Sequence, residues 1–147
     1  ALETCGQAEW NRYERVRGHV DLFLFDIKET DPALHKEYTG ADNTLILANL
    51  KKLHDAGEAI IVRLPTIPGL NDRPEHFQTV ARLVATLPNL QGVEVMPYHR
   101  LGLSKERRFG LETGDDRLRV IESPDSDTVA GWIKQLRDAG VNVLNEI

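Results

Sequence analysis

The sequence predicts an α/β fold built on a parallel sheet. Short apolar stretches alternate along the chain with segments of helical periodicity, and no hairpin signal joins two of them. Strands that are connected through helices pair in parallel, with right-handed crossovers. Polar residues interrupt the apolar strands toward one end only, which is where parallel α/β folds bind ligands.

Composition fits one ordinary domain spanning residues 1–147, with 41% hydrophobic and 28% charged residues. The net charge of -5 argues against a general binder of nucleic acid or of membrane surfaces. No apolar run is long enough to span a bilayer, and no signal peptide is evident. The single cysteine, Cys5, excludes an internal disulfide and an iron–sulfur cluster held by this chain alone, and it fits a reducing cytoplasm.

The chain opens within a predicted strand end, residues 1–6, which carries Glu3 and Thr4. We therefore expect an N-terminal part to be missing, with removal of a short leader or tag as the alternative. A helix over residues 9–17 follows, with Trp10, Tyr13 and Val16 on one face.

The stretch 20–28 predicts a central strand covered on both sides. Alternation places Leu22, Leu24, Asp26 and Lys28 on one face, and Phe23, Phe25 and Ile27 on the other. Asp26 and Lys28 therefore end the strand together, either as part of a ligand site or as a simple ion pair.

Two helices come next. Asp31 and Pro32 suit the cap and the first residue of a helix that ends at Gly40. Asp42 or Asn43 caps the second helix, over residues 44–56. The histidines of these helices, at positions 35 and 54, are expected to face solvent.

Residues 58–64 predict a further buried strand, in which Arg63 needs a partner or a cavity. Asp72 and Glu75 have capping-box spacing before a helix that runs to about Leu87. The strand 92–96 leads directly into His99, where an imidazole can donate, accept or pair with a charge, or can simply be exposed.

The end of the chain contains a polar loop, a helix and a short strand. The loop spans residues 100–114 and predicts a lid, a partner surface or a solvated connection. Ser123 and Pro124 begin the helix, Gly140 ends it, and residues 141–144 form the last strand.

Six candidate site residues gather at the carboxyl ends of the predicted strands: Glu3, Thr4, Asp26, Lys28, Arg63 and His99. This mixture of acid, amine, guanidinium and imidazole suits a zwitterionic ligand with hydroxyl groups. A glycine-rich phosphate fingerprint is absent from the sequence.

Five motifs occur in a fixed order: Leu2–Gly6, Asp26–Lys28, His35–Gly40, Arg63 with Ile67–Asp72, and Pro97–Gly102. Together they resemble the C-terminal half of the glycyl-radical-enzyme activating enzymes, the pyruvate formate-lyase activase group of radical SAM proteins. The resemblance implies a partial parallel (β/α) barrel, made of the C-terminal strands and helices of a radical SAM-type (β/α)6 barrel.

The resemblance also implies chemistry. The family binds S-adenosylmethionine at the strand ends and cleaves it with an electron from a 4Fe-4S cluster, which flavodoxin or ferredoxin reduces. The resulting 5′-deoxyadenosyl radical abstracts hydrogen from a glycine of a partner glycyl radical enzyme. By motif match, Asp26 and Lys28 hold the methionine moiety, and Arg63 and His99 contact the cofactor or orient its neighbours.

A monovalent cation site is implied at Glu3, Thr4, Asp26 and the Leu24 carbonyl. Many relatives have aspartate where this chain has Glu3 and asparagine where it has Cys5, and the longer Glu3 side chain departs from that site. The Glu-Thr-Cys-Gly version resembles members with an additional ferredoxin-like cluster insert, which act on partners other than pyruvate formate-lyase.

The family's CxxxCxxC cluster loop and Gly-Gly-Glu strand end belong upstream of Ala1. We therefore expect this chain alone to contain no catalytic residue and to be inactive. Two alternatives remain: another radical SAM enzyme that acts on a small molecule, and a non-catalytic module that binds S-adenosylmethionine or docks a partner. The segment 98–102 with Lys105 favours the activase.

Overall fold

A computed structural model of the protein describes residues 1–99 and 121–146. Four strands form the sheet: β1 (Leu2–Thr4), β2 (Phe23–Asp26), β3 (Ile60–Thr66) and β4 (Gly92–Pro97). Within these described residues, five α-helices connect and flank the strands: α1 (Trp10–Val16), α2 (Pro32–Thr39), α3 (Thr44–Asp55), α4 (Pro74–Ala85) and α5 (Ser126–Asp138). The predicted polar loop 100–114 lies outside the described residues.

The strands pair in parallel in the order β1-β2-β3-β4, which confirms the predicted fold class. The register places Leu24 beside Glu3, and Asp26 beside Arg63. The predicted last strand is shorter than expected, because only Val143 forms a bridge, to Val93 of β4. Within the described residues, no helix is long and apolar enough to cross a membrane.

The two faces of the sheet differ in chemistry. One face packs against the helices and carries Phe23, Phe25, Ile60, Val62, Leu64, Val93 and Val95, which are all buried. The other, which we call the charged face, carries Glu3, Leu24, Asp26, Ile61, Arg63 and Glu94. The prediction that β2 is covered on both sides therefore holds for one face only, since Leu24 and Asp26 are half-buried.

Helix termini agree with the sequence at some positions and differ at others. Asp31 caps α2 by accepting hydrogen bonds from two backbone amides of the first turn. Asp72 does not cap α4: the cap position is Arg73, and Asp72 accepts instead from the backbone amide of Gly69. The cap of α5 is Asp125, so this helix begins two residues later than the Ser-Pro pair predicted.

The expectation that His35 and His54 face solvent is wrong. His35 is buried and its Nδ1 lies 2.6 Å from the Ala41 carbonyl oxygen. His54 is mostly covered, and its Nε2 accepts a hydrogen bond from the amide of Asn89. His35 thus binds the loop that follows its own helix, and His54 binds the loop that follows α4.

Candidate functional site

Arg63 lies at the centre of the charged face. Its Nη1 donates to Glu3 Oε1 at 2.9 Å, and its Nε donates to Asp26 Oδ1 at 3.0 Å. Parallel pairing explains this arrangement, because β2 lies between β1 and β3 and the register aligns Asp26 with Arg63. The guanidinium side chain is 10% exposed and the Glu3 side chain 68% exposed, so the pair extends from the sheet toward solvent.

Lys28 completes the charged group. Its Nζ donates to Asp26 Oδ2 at 3.1 Å, so each oxygen of Asp26 has a cationic partner. The Lys28 side chain is 40% exposed and lines two hollows of about 130 and 240 Å³. An ammonium group has three donors, and Lys28 can therefore bind a ligand anion while it remains paired with Asp26.

The neighbouring carboxylates favour the ionised form of Arg63. The hydrogen bond to Glu3 raises the pKa of Arg63, burial opposes it, and the bond to Asp26 raises it further. We call Glu3, Asp26, Lys28 and Arg63 the rim cluster. Hydrogen bonds link its two anions and two cations in the order Lys28, Asp26, Arg63 and Glu3.

Thr4 lies apart from this cluster. The register aligns it with Phe25, whose side chain is on the helix-covered face. Its Oγ1 lies 2.8 Å from the hydroxyl of Tyr13. Burial raises the pKa of Tyr13, against the hydrogen bond to Thr4. The Thr4 side chain is therefore directed away from the charged face, and Thr4 can contribute only main-chain atoms to a site there.

His99 is brought to the same edge of the sheet but not into the rim cluster. Among the described residues, it forms no hydrogen bond or ion pair with Asp26, Lys28 or Arg63. It is exposed and lines a hollow of about 320 Å³ beside the start of α5.

A buried polar network behind the rim cluster was not predicted. Glu29 accepts from Arg73 Nη2 at 2.6 Å, and His76 Nδ1 lies 3.2 Å from its other oxygen. Asn71 binds the main chain beside it, donating to the Lys28 carbonyl at 2.6 Å. The available signals were the charge of Glu29 directly after Lys28 and the polar residues that interrupt the loop before α4.

Several known proteins are similar to this chain in sequence. A choline trimethylamine-lyase activating enzyme of Oleidesulfovibrio alaskensis is 32% identical over 147 residues, which cover 98% of this chain and 47% of the relative. A trans-4-hydroxy-L-proline dehydratase activating enzyme of Clostridioides difficile is 42% identical over 124 residues, covering 83% of this chain and 41% of the relative. A pyruvate formate-lyase-activating enzyme of Streptococcus mutans is 39% identical over 134 residues, covering 87% and 50%.

The chain belongs to the glycyl-radical-enzyme activating enzymes. It spans about half the length of these curated relatives. No protein-family model matches it. The crystal structure of a domain of a pyruvate formate-lyase-activating enzyme from Bacteroides vulgatus shares the fold, with a TM-score of 0.74, 22% identity, and coverage of 96% of this chain and 76% of that one.

The two cofactors of the family fit this chain differently. The ammonium and carboxylate of S-adenosylmethionine are complementary to the carboxylates of Glu3 and Asp26 and to the ammonium of Lys28. A 4Fe-4S cluster does not fit, because clusters are held by several cysteine thiolates and the sequence has one cysteine. Within the described residues, no group of three or more His, Cys, Asp or Glu side chains could hold a metal ion.

Proposed function

We propose that this chain is the S-adenosylmethionine-binding part of a protein that activates a glycyl radical enzyme. The observation that carries the proposal is the rim cluster, which presents both signs of charge at the carboxyl ends of β1 and β2 and on the neighbouring part of β3. Parallel α/β folds bind their ligands at this edge. When bound and reduced, S-adenosylmethionine would supply the radical chemistry that removes hydrogen from a glycine of the partner.

Each residue of the rim cluster has a role in this proposal. Lys28 donates to the carboxylate of the methionine moiety, and Asp26 and Glu3 accept from its ammonium. Arg63 holds the two carboxylates at fixed positions, since it donates to both. His99, which lines the hollow beside the start of α5, contacts or orients the nucleoside.

The proposal includes a monovalent cation bound by Asp26, Glu3 and the main-chain carbonyls of Leu24 and Thr4. Such an ion would share carboxylate oxygens with Arg63 and Lys28. A dependence of cofactor affinity on potassium, absent when the Asp26 side chain is changed to Asn, would support it.

The cysteines of the cluster and the electron donor, flavodoxin or ferredoxin, would come from outside this sequence. The chain alone is therefore expected to bind S-adenosylmethionine without cleaving it. Reduction with dithionite, followed by chromatography for 5′-deoxyadenosine, tests this expectation. Product from the isolated chain would contradict it.

The Lys28→Met variant tests the binding site directly. Isothermal titration should show an affinity for S-adenosylmethionine at least about tenfold weaker than that of the wild type, because a charge-assisted hydrogen bond is lost. Lys134→Met, which removes an exposed ammonium paired with Asp138 on α5, is the matched control. Equal affinities in the two variants would exclude Lys28 from the site.

A further inference from the structure

The turn that follows β2 is held by a buried side chain from another part of the chain. We call residues 28–31 the Lys28 turn. Asn71, in the loop before α4, is 4% exposed, and its Nδ2 donates to the carbonyl oxygen of Lys28 at 2.6 Å. The same nitrogen donates to the carbonyl of Pro65 at 2.7 Å, and Oδ1 accepts from the amide of Ile67 at 2.7 Å.

These bonds fasten the ends of two neighbouring strands together. Lys28 follows β2, and Pro65 lies in β3 two residues after Arg63. Both hydrogens of the Asn71 amide are used, so one side chain sets the distance between the main chains that carry two members of the rim cluster. A hydroxyl or carboxylate at this position cannot donate to two carbonyls at once.

Glu29 fixes the turn on its other side. Its buried carboxylate accepts from the amides of Thr30 and Asp31 at 2.8 and 3.0 Å, and from Arg73 at 2.6 Å. Hydrogen bonds to an ionised carboxylate are short and strong. The main chain is thus anchored at Lys28 itself and immediately after it, while the Lys28 side chain remains half-exposed beside Asp26.

We propose that Asn71 is a positioning residue that aims the ammonium of Lys28 at the carboxylate of the bound ligand. The inference rests on the proposed function and extends it, because it assigns a role in ligand binding to a residue that is buried behind the turn. An anchored main chain leaves Lys28 only side-chain freedom to lose on binding, which lowers the entropic cost of association.

The test uses the full chain and the variants Asn71→Ser and Asn71→Asp. Asn145→Ser is the matched control, because Asn145 also binds main chain in both directions, accepting from the Val95 amide and donating to the Val95 carbonyl. Titrations use S-adenosylmethionine and 5′-methylthioadenosine, which has the nucleoside but lacks the amino-acid end. Lys28→Met is combined with Asn71→Ser in a double-mutant cycle.

The expected result has three parts. Asn71→Ser weakens S-adenosylmethionine binding about tenfold and leaves 5′-methylthioadenosine binding within about twofold of the wild type. In the Lys28→Met background, the same substitution changes affinity by less than about twofold, because the group that it positions is gone. Independent, additive losses, or equal losses for both ligands, would overturn the proposal, since either result indicates a general structural role.

Hydrogen exchange separates this inference from the proposed function. The amides of Thr30 and Asp31 are bonded to Glu29 and not to Asn71, so they report on the whole turn. They should exchange at least about tenfold faster in Asn71→Ser than in Asn145→Ser. Unchanged exchange in Asn71→Ser overturns the role of Asn71. If exchange is faster in the variant but the wild-type chain does not bind S-adenosylmethionine, the proposed function is overturned instead.

Discussion

Replacing Glu29 by glutamine tests whether a buried carboxylate is kept ionised behind the rim cluster. Glu29 is 1% exposed. Burial raises its pKa, but hydrogen bonds from His76, the Asp31 amide and Arg73 lower it to about 2. The variant keeps the shape of the side chain and removes the charge.

The magnitude follows from proton linkage. The difference between 4.5 in the unfolded chain and about 2 in the folded protein corresponds to about 3 kcal/mol of stability at neutral pH. Because the folded pKa is the lower one, this contribution is present above pH 4.5 and is lost as the pH falls toward about 2. By pH 3, about 2 kcal/mol of it is gone.

Urea unfolding of the wild type and Glu29→Gln at pH 7 and pH 3 measures this loss. The difference between the two unfolding free energies cancels the titration of other carboxylates, and it should shrink by about 2 kcal/mol at the lower pH. Glu14→Gln, at an exposed position of α1, controls for the substitution itself. If the difference for Glu29→Gln changes by less than about 0.5 kcal/mol between the two pH values, the carboxylate is not held ionised and the reasoning fails.

Two further predictions concern the first loop. Gly6 has a φ of +77°, and a Cβ there would collide with the ring of Phe25. Gly6→Ala should therefore lower the free energy of unfolding, measured by thermal unfolding, by about 3 kcal/mol or more. Gly69→Ala, with a φ of +75° and open space around it, should cost only about 1 kcal/mol, and equal costs would refute the contact. Thr4→Val leaves the hydroxyl of Tyr13 without its partner and should lower the free energy of unfolding by about 1–2 kcal/mol. In Thr4→Ser that loss should be absent, and a full loss there would point to packing instead.

The fold was predictable because its signals are local and repeated. Apolar runs alternate with helical periodicity, and parallel pairing follows from the helices between the strands. The rim cluster was predictable for the same reason, since Asp26, Lys28 and Arg63 interrupt apolar strands at corresponding ends. Strand geometry alone brings such residues together.

The network behind the cluster was not predictable, because its partners are distant in sequence. Asn71 binds a carbonyl 43 residues earlier, and that contact depends on how the loop before α4 crosses the strand ends. The burial of His35 and His54 was not predictable from neighbouring residues either. Both lie among charged residues, yet tertiary packing buries the first and covers most of the second.

The placement of charge in the sheet argues for a binding site more strongly than for stability. A variant with an apolar side chain in place of Arg63 and neutral residues in place of its partners would be about as stable. Buried ion pairs seldom stabilise a protein more than apolar packing does. On the helix-covered face, strands β1 to β4 carry no charged side chain. Charge in the strands is thus confined to the face where Glu3, Asp26 and Lys28 can reach a ligand. The side chains of Glu29 and Asn71 hold the main chain of this region in place without contacting the ligand. This division is expected where a zwitterion must be bound in one orientation.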